Sequence, residues 1–352
     1  MKSKGRIVVK VGTKVLTNDK GVLDPAALAN ISAQVALLML DGYNVVLVSS
    51  GAMGAGKSLL HTSRHLTSIS EKQLFAAIGQ AYLINEYSML FREQGLLCAQ
   101  VLATKEDFRD KSHFLNMRSC METLLHDKVV PIVNENDVVA LGELTFTDND
   151  ELAGRVASMI NADRLIILSS VPGVLDKEGN VIEEITLESH YTASGYITTE
   201  ISEAGRGGMK TKFATAKKLA SQGIETIIAN GMQPRVLASI MRGEKVGTRF
   251  SPGKRQASLK RRLAHSENLV QGTVTVNDNA AKILRDQNVS LLFVGVTAIK
   301  GSFYKGDVIA INNESNYQIG YGISRYDSDD AQQLIGQRHV KPLIHYDYLF
   351  VE

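Results

Sequence analysis

Short continuous apolar runs, spaced along the first 250 or so residues with helical patterns between them, constrain this chain most. They read RIVVKVG, NVVLVSS, LLCAQVLA, VVPIVNEND, RLIILSS and ETIIAN. Runs of this kind, rich in β-branched residues and not alternating with polar ones, suit strands covered on both faces. Helices fill the gaps. Asp24 is placed to cap a helix with Pro25 in its first turn, and Leu28, Ile31, Val35 and Leu38 recur at helical spacing. Leu74, Ala77, Ile78, Ala81 and Ile84 mark the apolar face of another helix. The expected fold is α/β, a mainly parallel open sheet sandwiched by helices. Ligands of such sheets collect at the carboxyl ends of the strands, so the loops just after each run matter most.

The pattern changes near residue 250. SPGKRQASLKRRLAHSENL carries Lys254, Arg255, Lys260, Arg261 and Arg262 with no acid before Glu267, and reads as a solvated basic connector. Short glycine-punctuated strands follow, with one helix at about 278 to 286, as in a small β-rich domain. The 352 residues therefore divide into 1–252, a connector 253–268, and 269–352. A net charge of +2 gives no global field for nucleic acid or acidic membranes. His61 and His65 are spaced i, i+4 without further ligand residues, as on a surface helix. Cys98 and Cys120 do not make a disulfide framework and read as buried free thiols. The N-terminal apolar run is short and interrupted by lysine, unlike a signal peptide. No run approaches the length of a membrane span. A cytoplasmic location is expected.

One motif invites a different reading. In NVVLVSSGAMGAGKSLL, residues Gly51, Gly56, Lys57 and Ser58 satisfy the phosphate-loop pattern G-x-x-x-x-G-K-[ST]. Such an NTPase also needs an acid at the end of a second strand for Mg²⁺. RLIILSS ends in serines, ETIIAN ends in asparagine, and Glu135 and Asp137 fall beyond Val133. Ser49, Ser50, Gly51 and Ala52 come straight off the strand, where backbone N–H groups can face an anion. Three further segments compete for the chemistry. Lys10, Gly12 and Thr13 close the first strand. Gly205, Gly207 and Gly208 precede Lys210 and Lys212 at a helix start. Asn134, Glu135, Asn136, Asp137, Asp148, Asn149 and Asp150 form a polar cluster that could hold an ammonium group, or orient lysines and Mg²⁺.

Taken in order, VVKVGTKVLT, LVSSGAMGAG, KQLFAAIGQ, FLNMRSCMETLL, PIVNENDVVA, FTDNDELA and GRGGMKTK resemble the glutamate 5-kinases of the amino-acid kinase family. GTVTVNDNAAKIL, GSFYKGDVIAI and GYGISRYDSDD resemble the PUA domain that follows the kinase domain in many bacterial members. The resemblance implies ATP-dependent phosphorylation of the γ-carboxylate of L-glutamate, the first step of proline synthesis, with proline as feedback inhibitor. It also implies a glutamyl phosphate reductase that consumes the product, a homo-oligomer, and Mg²⁺ arriving with ATP.

Residue by residue, the resemblance gives Lys10 and Lys212 as the charges on the transferred phosphoryl group and Asp150 as their organiser. Glutamate falls to Ser50, Gly51, Ala52, Asp137 and Asn149. The nucleotide falls to Lys10, Gly12, Thr13, Ser169, Ser170 and the run Arg206, Gly207, Gly208, Met209, Lys210, Thr211, Lys212. Ser170 stands where the family often has an acid, and Arg206 where it often has threonine. Lys57 and Ser58 match no family role. Two alternatives stay open: a phosphate-loop NTPase using Lys57, and a sister kinase with another carboxylate substrate. RNA binding by the tail is the weaker alternative, since Asp327, Asp329 and Asp330 oppose it and no dense basic stripe supports it.

Overall fold

The structure, a computed structural model, describes residues 3–60, 67–140, 145–186, 208–253, 270–287 and 289–351. His61, His65, Gly205, Arg206, Gly207 and nearly all of the basic connector lie outside the described residues. The chain forms two compact units, residues 1–255 and 256–352.

The first unit is built on an eight-stranded sheet. Its strands are β1 (Arg6–Val11), β2 (Asn44–Ser49), β3 (Leu97–Ala103), β4 (Val129–Glu135), β5 (Arg164–Ser169), β6 (Glu184–Ile185), β7 (Glu225–Asn230) and β8 (Thr248–Phe250). Their order is β3-β4-β2-β1-β5-β7-β8-β6, and the β7–β8 pair alone is antiparallel. In β1 the register runs Lys10↔Val48 on one side and Lys10↔Ile167 on the other. The expected parallel sheet is present, and β1 lies at its centre.

Helices cover both faces. They are α1 (Thr13–Leu16), α2 (Pro25–Leu40), α3 (Ala52–Leu59), α4 (Ser68–Glu93), α5 (Lys105–Arg109), α6 (Lys111–His126), α7 (Asn149–Met159), α8 (Met209–Ser221) and α9 (Val236–Met241). Asp24 caps α2 by accepting from the amides of Ala26 and Ala27. Because strand side chains alternate, β1 feeds two cores. Val8 packs with α5, α6, α7 and α8, whereas Ile7, Val9 and Val11 pack with α1, α2, α4 and α9. Lys10 has the parity of Val8 and so faces the side of α7 and α8. Ser49 has the parity of Val45 and Leu47 and faces α4.

Three expectations need correction. The helix α4 exists, but its buried stripe is Phe75, Ala76, Gly79, Leu83, Tyr87 and Phe91, not Leu74, Ala77, Ile78, Ala81 and Ile84. Phe, Tyr and Gly carry the contact, and small or aliphatic residues on the other flank mimic a stripe. The run LLCAQVLA is no doubly covered strand. It is the sheet edge, with Leu97 64% exposed. Finally, Cys98 is half-buried and Cys120 is exposed on α6, so neither is a core thiol.

The second unit has a five-stranded sheet of β9 (Val270–Val276), β10 (Val296–Gly301), β11 (Val308–Asn313), β12 (Gln318–Ile323) and β13 (Leu349–Val351). The order is β10-β9-β11-β12-β13, antiparallel except for β9 with β11. The expected helix is α10 (Asp278–Asp286), capped by the Asn277 side chain. Val274, Val276, Phe293, Phe303, Ile309 and Ile344 are among its core residues. Asp327 precedes α11 (Ser328–Gln333) without a side-chain capping bond, and Asp329 and Asp330 lie in its first turn, where acids complement the helix dipole. Among the described residues, no helix is long and apolar enough to cross a membrane.

Candidate active site

Lys10, Asp150 and Lys212 come from β1, α7 and α8 and meet on one side of the sheet. The Lys10 ammonium lies 2.7 Å from Asp150 Oδ1, and the Lys212 ammonium lies 3.0 Å from Oδ2. Their side chains are 6%, 1% and 10% exposed. Burial pushes the Asp150 carboxyl upward, but the two ammonium groups outweigh it and hold the group below the usual carboxylate range. One buried carboxylate thus fixes two cations, leaving a net positive charge among the three. Gly12 keeps this corner open: a β-carbon there would stand 3.3 Å from the Leu168 carbonyl and 3.5 Å from Lys10 Nζ. The Gly12 amide donates to that same carbonyl. Thr13 begins α1 beside it.

A row of side chains at the strand ends faces this cluster's neighbour, Asn149. The Asn149 amide donates to Ser50 Oγ at 2.9 Å and to Asn134 Oδ1 at 3.0 Å. Asn134 in turn donates to Gln80 Oε1 at 2.8 Å. The row ties the end of β2, the start of α7, the end of β4 and the middle of α4. Ser50 is held by its own amide on the Val11 carbonyl. Behind it the buried Tyr87 hydroxyl lies 2.8 Å from Ser49 Oγ, which donates to the Ser50 carbonyl. Burial pushes the Tyr87 phenol well above its ordinary range, so it stays neutral.

Gly51 has φ of 101°, a left-handed conformation suited to glycine, and it turns the chain from β2 into α3. No side chain caps α3, so the amides of its first turn, starting at Ala52, stay open to an anion. The N-terminus of α8 is uncapped in the same way. Gly208 precedes it, Met209 packs partly into the core, Lys210 is exposed, and Thr211 donates to Asp148 Oδ2 at 2.5 Å. Asp148 also accepts the amides of Asp150 and Glu151, capping α7. Its burial and the nearby Asp150 charge raise its carboxyl. Ser169 ends β5 and Ser170 follows it; Ser169 is buried and Ser170 half-buried.

Glu135 ends β4 and Asp137 lies two residues beyond it. Asp137 is paired with Lys72 of α4, whose ammonium also lies 3.8 Å from Glu135 Oε2. Glu135 itself accepts the Phe146 amide at 2.7 Å.

The phosphate-loop pattern dissolves in this geometry. Residues 52–59 are one helix, so the stretch between Gly51 and Gly56 is no loop. Lys57 sits about 9 Å along the axis from Gly51, its ammonium over the Phe75 ring at 5.7 Å from the centroid. Gly56 is there for packing: a β-carbon on it would lie 2.1 Å from the Phe75 carbonyl oxygen. A β-carbon on Gly79 would lie 1.8 Å from the Ala52 carbonyl oxygen and 2.3 Å from the Gly56 nitrogen. The helices α3 and α4 therefore touch backbone to backbone.

Of the residues singled out from sequence, the structure brings together Lys10, Asp150 and Lys212, and separately Ser50 with Asn149. Arg206 and Gly207 lie outside the described residues. Gln80, Tyr87 and Lys72 belong to the same neighbourhood but received no role from sequence, and Asn134 was read only as a member of the polar cluster. Gln80 and Lys72 stood inside the KQLFAAIGQ segment, and Asn134 inside PIVNEND.

Comparison with known proteins bears on the family and the fold. The profile of the Amino acid kinase family matches residues 5–230, and that of the PUA domain matches residues 272–346. A glutamate 5-kinase of Chlorobaculum tepidum is 49% identical over 351 residues, covering 98% of this chain and 97% of that protein. One from Bacteroides thetaiotaomicron is 43% identical, covering 99% and 98%. Among solved structures, a carbamate kinase from Giardia lamblia bound to AMP-PNP superposes with a TM-score of 0.53 at 18% identity, covering 71% of this chain and 99% of that one. That likeness speaks for the fold. By its matched profiles and near full-length relatives, the chain belongs to the amino acid kinase family, in its glutamate 5-kinase branch, with a PUA domain after the kinase domain.

Proposed function

We propose that the chain transfers the γ-phosphoryl group of ATP to the γ-carboxylate of L-glutamate. The observation that carries this reading is the Lys10–Asp150–Lys212 cluster beside the Ser50–Asn149 pair. A glutamate carboxylate titrates at about pH 4.3, so at pH 7 it is already a nucleophile and needs no general base. A carboxylate oxygen bonds to the γ-phosphorus while the bond from that phosphorus to the β,γ-bridging oxygen breaks. The products are γ-glutamyl phosphate and ADP. What the protein supplies is position and positive charge. Lys10 and Lys212 offset charge on the transferring group, and Asp150 holds them in place. Ser50, Asn149 and the amides of Gly51 and Ala52 seat the reacting carboxylate, and Asp137 receives the substrate ammonium.

On the nucleotide side we assign Gly12, Thr13, Ser169, Ser170 and the Arg206–Lys212 segment. Mg²⁺ belongs to the nucleotide substrate. Among the described residues no group of three His, Cys, Asp or Glu side chains is arranged to hold a metal. Both Asp150 oxygens already face ammonium groups. Phosphate oxygens and water are the ligands we assign to it, as Mg²⁺ favours.

The reading extends to cytoplasmic proline synthesis, with proline as inhibitor, a glutamyl phosphate reductase as consumer of the labile acyl phosphate, and a homo-oligomer as the working form. Proline, like glutamate, carries a cationic nitrogen and a carboxylate on its α-carbon, although its ammonium is a secondary one in the ring; the shared pair of charges supports competition for one pocket. We place the domain divisions at 1–252, 253–268 and 269–352, in keeping with the compact units and matched profiles. The test is ATP- and glutamate-dependent acyl phosphate formation, trapped with hydroxylamine. Hydroxamate from aspartate or acetylglutamate but not glutamate would move the chain to a sister kinase.

A further inference from the structure

Lys72 stands near the start of α4, and its ammonium is bound to the carboxylate reserved above for the substrate ammonium. The pair is largely withdrawn from water, at 16% and 14% side-chain exposure. Its neighbour Gln73 donates to the Val138 carbonyl at 2.8 Å, fixing α4 to the turn that carries Asp137. Asp137 is also tied by chain connectivity to Asn134, and through Asn134 and Asn149 to Ser50. Asp137 follows Asn134 by three residues, and Lys72 stands on the same helix as Gln80, so the pair shares both of its elements with the far end of the polar row. An amino acid with its side-chain carboxylate at the Ser50 turn would bring its α-carbon toward the pair.

Separating a partly buried ion pair is costly unless both charges find new partners. A ligand bearing only an ammonium would take Asp137 and leave Lys72 its longer contact to Glu135 alone, at 3.8 Å. A zwitterionic α-amino acid replaces both halves: its ammonium meets Asp137 and its α-carboxylate meets Lys72, so the four charges alternate in sign. We propose that Lys72 is a specificity residue that reads the α-carboxylate of the substrate, with Asp137 reading the adjacent ammonium. This rests on the glutamate reading, which the wild-type hydroxamate assay tests first and separately.

The probe is 4-aminobutyrate, which is glutamate without its α-carboxylate, used as a competitive inhibitor against glutamate in the full-length protein. Lys72→Met should raise the KM for L-glutamate at least about tenfold, the scale of one charge-assisted hydrogen bond. The kcat and the KM for ATP should stay within about threefold, and the inhibition constant of 4-aminobutyrate should not rise and should fall if anything, since that ligand no longer has to part the Lys72–Asp137 pair. Lys72→Arg should recover most of the glutamate affinity. Lys72→Gln, which keeps most of the side-chain stem, runs in parallel so that a folding defect in one variant does not decide the matter. Gln73→Ala loosens the same turn and should weaken glutamate and 4-aminobutyrate alike. The proposal is overturned if the Lys72 variants weaken both ligands equally, which marks Lys72 as a mere anchor of the turn. It is equally overturned if they leave the glutamate KM unchanged.

Discussion

Lys10 and Lys212 share a single carboxylate, that of Asp150, at 2.7 and 3.0 Å, although they arise from the first strand and a helix far along the chain. Each cation is therefore held by a group that the other also needs. Replacing Asp150 with Asn removes the charge that allows two ammonium groups to stay buried together. The kcat of Asp150→Asn, and of Lys10→Ala, is expected to fall by about 10²–10³, the range for loss of a preorganised charge contact. Lys57→Ala should stay within about threefold. Steady-state hydroxamate kinetics read all three, and the opposite order would restore the phosphate-loop reading.

The acids at the start of α7 set a pH dependence of stability. The native carboxyl of Asp150 is depressed, so its contribution is present above its ordinary value of 3.8 and is lost as pH falls below that. Asp148 is raised, so its charged form costs stability at neutral pH, and that cost is relieved as pH falls toward 3.8. Thermal melts should show wild type above Asp150→Asn at pH 7, with the gap closing below pH 3.8. Any advantage of Asp148→Asn, which keeps a good N-cap, should be largest at pH 7 and shrink as pH falls.

At Gly56 and Gly79 the α3–α4 contact admits no side chain. Gly79→Ala and Gly56→Ala would each place a carbon near 2 Å from backbone atoms, where one helix must shift. A destabilisation of about 2–3 kcal/mol is expected, with glutamate turnover lost sooner than folding, because α3 carries the Gly51–Ala52 amides. Gly95→Ala meets nothing within 4 Å but has φ of 73°. It should lose stability through backbone strain alone, about 1 kcal/mol, and keep its turnover.

Tyr87→Phe deletes one hydroxyl and leaves the ring packing. The lost bond to Ser49 should lower stability by about 1 kcal/mol. Its functional mark should be a larger loss in kcat for glutamate than in the KM for ATP, since Ser49 holds the Ser50 carbonyl. An unchanged kcat would show that the Ser50 turn is rigid without Tyr87.

Periodic features were legible in the chain because they report on one element at a time. The strand β1 showed in RIVVKVG and the cap of α2 in Asp24-Pro25, and both need only local spacing. The face of α4 was misread because Gly79, the position of closest approach, carries no hydrophobicity to detect. The edge position of β3 was hidden for a related reason: an apolar run is the same string of letters whether two helices cover it or none. In the site, Lys10, Asp150 and Lys212 stood out in three separate segments, their roles came from resemblance, and their meeting depends on strand parity and sheet order. Gln80 and Lys72 gave no signal of their own, since a polar residue on a helix is ordinary until the opposite strand end supplies its partner.

The glycine contact between α3 and α4 has a mechanical consequence. With no side chain between them at Gly56 and Gly79, the Gly51 turn, proposed above to seat the reacting carboxylate, is tied to a rod of 26 residues, about 39 Å long. Lys72 rides near one end of that rod, while Met89, near the other, is exposed. A few degrees of tilt in the rod would reach the Gly51 amides undamped, so whatever presses on its outer face writes directly onto substrate geometry.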